Sequence, residues 1–251
     1  MLLFIALSCH SDPVLERMDN SAVEWTEMKL VVRASSNQRT GAWQDRRLQE
    51  QEAHDRLSAA MQQSASDIPI TLDLTTNDIL MAGGILATRL KDGLKRWNVQ
   101  ETRYYNQGGV ELVGSLDLHS WLSPVLADMA QAPLPSLEDI DHSGLLIDAR
   151  GLDFDPSMSP NIVTLDGTTY MDAYTSAADT VLTVTPVGYV TDPASAATIR
   201  RIGELPVFVR ALSVNGDGQL LLPSSQSPQL THHHEFPALI AAGKVVIVID
   251  S

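Results

Sequence analysis

A single cysteine, Cys9, in 251 residues leaves no internal disulfide framework and no cysteine-built zinc site. Positive charge is also scarce: 17 Lys and Arg stand against 31 Asp and Glu, a net charge of −14. Binding a phosphate backbone needs clustered cations, so nucleic acid is excluded as a general partner. No stretch approaches the roughly 18 apolar residues of a membrane-spanning helix. The signatures of several reactions are missing too. There is no Gly-x-Ser-x-Gly elbow, Gly243-Lys244 follows no phosphate-loop glycine, and Gly216-x-Gly218 lacks the third glycine of a dinucleotide fingerprint. What is present is ordinary globular material. Hydrophobic residues at 44% and charged residues at 19% specify a packed chain. Its length lets folding bury roughly 70–75% of the unfolded surface without a disulfide or metal staple.

The amino terminus gives Cys9 a context. Residues 1–9 read Met-Leu-Leu-Phe-Ile-Ala-Leu-Ser-Cys, an apolar run closed by a small residue, the pattern of an export signal. Ala6-Leu7-Ser8-Cys9 resembles a bacterial lipobox. That resemblance implies cleavage before Cys9, diacylglycerol on its sulfur, and contact with outer-membrane lipid, because His10 and not Asp follows it. Residues 10–22, polar and containing Pro13, would then be a tether. The competing expectation is a buried first strand with Cys9 as a core thiol.

Charge divides the remainder unevenly. Residues 1–100 hold eleven basic and thirteen acidic side chains, and residues 101–251 hold six and eighteen. The texture breaks at Gln131-Ala132-Pro133-Leu134-Pro135, which suggests an α+β domain over residues 23–132 and a β-rich domain over residues 133–251. In the first, residues 23–34 read as one strand. Residues 43–65 read as a long helix with a thin apolar stripe of Leu48, Ala53, Leu57, Ala60 and Met61, fit to cover one side of a sheet. Glu52 and Arg56 stand in the favourable order for a helical ion pair. A further helix is expected after Asn77 as cap, with Ile79, Leu86, Leu90, Leu94 and Trp97 on one face. Residues 99–105 and 110–118 alternate in polarity around Asn106-Gln107-Gly108-Gly109, which predicts a β-hairpin.

In the second, Leu145-Leu146-Ile147 predicts a short buried strand running into Asp148-Ala149-Arg150-Gly151. A hairpin is expected around Asp166-Gly167, and a turn at residues 215–218 between strands at 207–209 and 220–222. Short helices are expected at residues 192–201, capped by Asp192, and at 236–242. Val245-Val246-Ile247-Val248-Ile249 is apolar throughout, hence a central strand. The expected class is α+β: helices on one face of a mainly antiparallel sheet, then a β-rich unit closed by the C-terminal strand.

Several segments together resemble the bacterial twenty-kilodalton outer-membrane lipoprotein family, which includes flagellar outer-membrane and basal-disk lipoproteins. They are Arg103-Tyr104-Tyr105 with Gly108-Gly109-Val110-Glu111, the run Ser143–Leu152 read as Ser-Gly-Leu-Leu-Ile-Asp-Ala-Arg-Gly-Leu, Pro156-Ser157-Met158-Ser159-Pro160, Asp166-Gly167, and residues 244–250. The resemblance implies an envelope lipoprotein with no known catalysis, some members assembling into rings or disks around the flagellum. A homo-oligomer or envelope-complex proteins are the expected partners, and no cofactor is expected.

The residues in the Ser143–Leu152 run suit a structural part. Asp148 and Arg150 lie two apart, on one face of a strand, where they can pair with each other or bridge elsewhere. Gly144 and Gly151 bracket that strand where a tight turn or close approach is needed. A ligand-binding role for Asp148 and Arg150 stays open beside the structural one. No catalytic set emerges, since nothing in sequence brings His54, His119 or His142 to a nucleophile. No metal site is expected at His232-His233-His234-Glu235, because adjacent histidines on regular structure cannot all face one ion and no His-Glu-x-x-His spacing follows. The carboxylates Glu138, Asp139, Asp141, Asp148, Asp153, Asp155 and Asp166 lack the spacing of a calcium loop and read as solvated. Lys91, Lys95, Arg96 and Arg103 beside Trp97, Tyr104 and Tyr105 read as the exposed side of a helix and hairpin, with a binding patch as the sharper reading. The leading expectation is a lipid-anchored, non-enzymatic envelope protein working by assembly. The alternative is a periplasmic module that captures a small ligand or cell-wall fragment.

Overall fold

The computed structural model describes residues 13–18, 20–37, 46–106, 108–138 and 140–250. Cys9, and with it the lipobox and the expected anchor, lies outside the described residues. The fold is α+β in two units, as the patterning predicts.

The first unit is a five-stranded antiparallel sheet. Its strands are β1 (Leu15–Arg17), β2 (Ser21–Glu24), β3 (Lys29–Ser35), β4 (Asn98–Tyr104) and β5 (Val110–Asp117), in the order β1-β2-β3-β5-β4. The single strand expected at residues 23–34 is instead the β2–β3 hairpin, with Met28 at a φ of 53° in its turn. A side chain at positive φ was not foreseen because the usual turn glycine is absent. The β4–β5 hairpin stands where alternation placed it. On β3 and β5, Leu30, Val32, Leu112 and Leu116 turn to the core. Helix α1 (Arg46–Ser66) lies over these two strands and buries Ala53, Leu57, Met61 and Ala65, while Leu48 faces solvent. Glu52 and Arg56 pair at 2.8 Å along its outer side. Gly114 in β5 permits that approach, since a β-carbon there would sit 3.0 Å from Leu57 Cδ2.

The helix expected after Asn77 is two helices. Thr75 caps α2 (Thr76–Ala82), its hydroxyl accepting from the Asp78 N–H while the Asp78 carboxylate accepts from the Thr75 N–H. Gly83 and Gly84, at φ of 74° and 82°, then break the axis before α3 (Gly84–Leu94). Left-handed backbone at two successive glycines cannot continue a right-handed helix. Helix α4 (Leu118–Met129) was not anticipated. Asp117 ends β5 and also caps α4, its carboxylate accepting from the Ser120 N–H at 2.6 Å. Strand alternation therefore runs straight into the helical stripe Leu118, Trp121, Leu122, Val125, Leu126, and the internal Pro124 masks it further.

The second unit holds two four-stranded sheets. One is wholly parallel, in the order β10-β6-β13-β9, from β6 (Gly144–Asp148), β9 (Gly188–Val190), β10 (Pro206–Arg210) and β13 (Val245–Val248). The other has the order β11-β12-β7-β8, from β7 (Ile162–Thr164), β8 (Thr169–Met171), β11 (Ser213–Val214) and β12 (Leu220–Leu222). Thus β13 is central, and the turn at 215–218 joins β11 to β12 rather than β10 to β12. Ser195, not Asp192, caps α6 (Ala196–Ile202). Asp192 holds the turn before it by accepting from the Ala194 N–H.

Both faces of the parallel sheet are covered. Leu146, Val190, Val246 and Val248 pack with Ile202 of α6 on one side. Leu145, Ile147, Val245, Ile247 and Tyr189 face the main core, together with α7 (Phe236–Ala241) and the first unit's Trp25 and Leu30. A strand buried on both faces needs apolar residues at every position, which is why β13 reads as a continuous run. The main core crosses from one unit to the other without a gap. Trp25 meets Tyr189 edge to face at 5.8 Å, and the Met158 and Ser159 N–H groups donate to the carbonyls of Pro69 and Ile70.

Candidate functional site

The residues singled out in the Ser143–Leu152 run meet at the carboxyl end of the parallel sheet. Gly144 opens β6 against α6: a β-carbon there would lie 2.4 Å from Ile202 Cβ and 2.8 Å from Ile202 Cα. Only a hydrogen fits, and the close contact fixes where β6 starts. Asp148 ends β6 and is buried. Its Oδ1 accepts from Arg150 Nε at 2.8 Å and its Oδ2 from Arg150 Nη2 at 2.9 Å, a two-pronged pair. The Arg150 N–H adds a third bond at 3.2 Å. Arg210, paired with Asp148 in strand register, brings Nη1 to within 2.7 Å of Oδ2 and donates from Nη2 to the Arg150 carbonyl. Gly151 turns the chain at a φ of 77°, and its N–H donates to Asp250 Oδ2 at 2.6 Å.

Two guanidiniums therefore share one carboxylate. The Arg150 side chain beside it, opposed by burial and assisted by the Arg150 N–H and Arg210, holds the Asp148 carboxyl well below the usual carboxylate range. Asp148 in turn raises Arg150, with Asp250 and Asp192 adding to the effect at longer range. All four parallel strands deliver a charged residue at this end: Arg210 from β10, Asp148 from β6, Asp250 just beyond β13, and Asp192 just beyond β9. Both guanidiniums remain close to half exposed while the carboxylate between them is covered. Sequence spacing indicated the Asp148–Arg150 pair. It gave no sign of Arg210 or Asp250, which only the strand order brings alongside.

The remaining candidates scatter. His119 Nε2 lies 3.0 Å from the Val181 carbonyl, and the His54 ring rests against Trp97 at 5.2 Å. Asp166 binds the Ser225 hydroxyl and holds a turn. Those bonds, from the Ser225 side chain first, keep its carboxyl low. Part of the basic-aromatic patch is compensated: Lys95 pairs with Asp92, Arg103 with Glu101 and Glu111, and the Tyr104 hydroxyl donates to Glu50 beneath Arg46. Hollows lie elsewhere among the described residues. An open one of about 970 Å³ lies on the outer face of β1–β3, and an apolar one of about 390 Å³ lies among Pro133, Pro135, Tyr170 and Pro237. Neither is lined by Asp148 or Arg150.

Arg201 is an unexpected, partly buried cation. Its guanidinium donates to the Thr185 hydroxyl and carbonyl, and burial lowers its pKa to about 10. Its aliphatic stem fills the space that glycine leaves at position 188.

Among known proteins, a family described as Treponema pallidum Tp0624, second domain, matches residues 144–251. The matched segment begins at Gly144 of β6 and takes in the whole parallel sheet, its companion sheet, and the Asp148–Arg150–Arg210 cluster. It covers less than half of the chain. No curated protein matches.

Proposed function

We propose that this chain is a lipid-anchored envelope protein, held in the outer membrane through Cys9, with a non-enzymatic role in assembly. Its partners are further copies of itself or other envelope proteins, with a flagellum-associated complex as one such setting. The observation that carries the reading is the outer edge of the parallel sheet. Strand β10 pairs only with β6 among the described residues, and Leu205, Phe208 and Leu212 stand 62%, 55% and 43% exposed along it. An open edge flanked by apolar side chains is a template for another strand. No helix among the described residues is long and apolar enough to cross a membrane, so the anchor in this reading is the acyl-modified cysteine.

Metabolic labelling with an acyl-chain probe tests the anchor: label that is lost in Cys9→Ala supports it, and unlabelled protein overturns it. The mass of the detergent-extracted particle tests the assembly. A homo-oligomer that Phe208→Glu dissolves supports edge pairing, and a monomer at all concentrations refutes it.

A second reading rests on the charged cluster. Ligands of open parallel sheets bind beyond the carboxyl ends of the strands, where Arg150 and Arg210 present half-exposed guanidiniums. A small anionic ligand or cell-wall fragment would then be the substrate of a binding module. That reading expects a monomer whose thermal midpoint rises with ligand, and whose response disappears in Arg210→Ala.

A further inference from the structure

The three adjacent histidines do not all face one point, but one of them meets a histidine from far away. The 3-10 turn His233–Glu235 places Glu235 one turn after His232, and both stand beside His142, which precedes β6. Glu235 is only 2% exposed. Its Oε1 and Oε2 each lie 3.1 Å from His142 Nδ1, and Oε2 accepts the His142 N–H at 3.1 Å. His232 Nδ1 lies 3.6 Å from Oε1, and the His142 and His232 rings are 4.2 Å apart. One donor atom from each of His142, His232 and Glu235 falls within 4.8 Å of the others. His234 Nε2 stands 3.8 Å from Oε1 on the solvent side. His233 is turned away, with Nδ1 2.8 Å from the Leu230 carbonyl.

We propose that His142, His232 and Glu235 form a binding site for a divalent transition-metal ion of the zinc class. Two imidazoles and one carboxylate are an established zinc donor set, with metal–ligand bonds of about 2.0–2.2 Å. Donors held around such an ion stand about 3.3–3.6 Å apart, close to the spacings already present. Small side-chain rotations complete the geometry. A fourth position is left for water or for His234.

The arrangement also has a reason to take a cation. The His142 and His232 rings lie tilted at 59° to one another beside a covered carboxylate, which needs positive charge opposite it. A dication supplies that charge. The site lies at the approach to β6, the opposite end of that strand from Asp148. The ion would join the loop before one central strand to the turn that leads through α7 to the other. This staple is independent of the proposed assembly role, and of the lipid anchor.

The test uses the full chain, stripped with a chelator and titrated with zinc sulfate, with cobalt(II) as a spectroscopic probe. One ion per chain is expected, with the visible absorption of a low-symmetry, four-coordinate cobalt centre. At a hundredfold excess over Kd the unfolding midpoint should rise by about 5–10 °C. His232→Ala, at a half-exposed position that does not threaten folding, should weaken binding at least about tenfold, as should His142→Ala. His233→Ala should leave it unchanged. Absence of stoichiometric binding overturns the proposal. So does binding that survives His142→Ala and His232→Ala in folded protein, which marks adventitious capture by surface histidines.

Discussion

Strand β4 is exposed at all seven positions, and strand β13 is buried at all four. Both pair through their backbones, but different forces hold them. Strand β13 sits between two parallel neighbours with apolar side chains packed on either face, so burial fixes its place. Among the described residues strand β4 has only β5 beside it, and its side-chain contacts to that neighbour are polar: Arg103 to Glu111 and Gln100 to Ser115. Charge along an open edge also discourages unwanted pairing. The β10 edge of the parallel sheet carries less charge: it sets Phe208 beside solvent, with Arg210 at its end. Apolar exposure at one edge and charge at the other suggest different duties for the two units.

The largest test of the contrast asks whether the units stand apart at all. Trp25 is fully buried, donates from Nε1 to Glu16, and packs on Tyr189 of the parallel sheet. Trp25→Ala should cost about 3–5 kcal/mol. Hydrogen exchange should then show β5 and β13 amides losing protection together. If only the first unit loosens, the shared core is not cooperative.

A paired substitution comes next. In Gly144→Ala the new carbon meets the backbone of Ile202, which cannot yield, and about 2–3 kcal/mol should be lost. In Gly114→Ala it meets the end of the Leu57 side chain, which can turn aside, so about 1 kcal/mol is expected. Equal losses by denaturant titration would mean that the parallel unit is no more rigidly packed than the antiparallel one.

Asp148→Asn removes the charge that both guanidiniums share. A loss of about 2 kcal/mol at neutral pH is expected, because Arg150 and Arg210 can still reach water. The carboxyl's folded-state pKa is depressed, so its contribution is complete above the unfolded value of about 3.9 and is lost as pH falls through the folded one. The wild-type midpoint should therefore fall more steeply than the variant's between about pH 5 and 2. Parallel acid limbs would show that the cluster adds nothing to stability. The smallest effect is expected on β4, where Thr102→Ala should change stability by under about 0.5 kcal/mol.

These sites differ in how visible they were beforehand. The β4–β5 hairpin and the central place of β13 were legible because period two and unbroken apolarity are each written in consecutive residues. Helix α4 was hidden because Leu118 fits both the strand alternation that ends at Asp117 and the helical stripe that starts there. The Asp148–Arg150 pair could be read from a two-residue spacing. Arg210 could not, since only parallel pairing of β10 with β6 aligns it. The same limit hid the meeting of His142 with Glu235. Their segments are joined by the way β6 and β13 pair, and local spacing carries no record of it.

That strand order also bears on how the chain comes off the ribosome. Strand β6 is made early in its unit, and β9 follows, but they never touch in the finished sheet because β13 lies between them. Until Val245–Val248 has been synthesised, two apolar strands each offer an unfilled side to whatever is near, including each other. Productive folding thus depends on leaving a gap for a later arrival. A chaperone that delays closure would raise the yield of native protein without strengthening a single native contact.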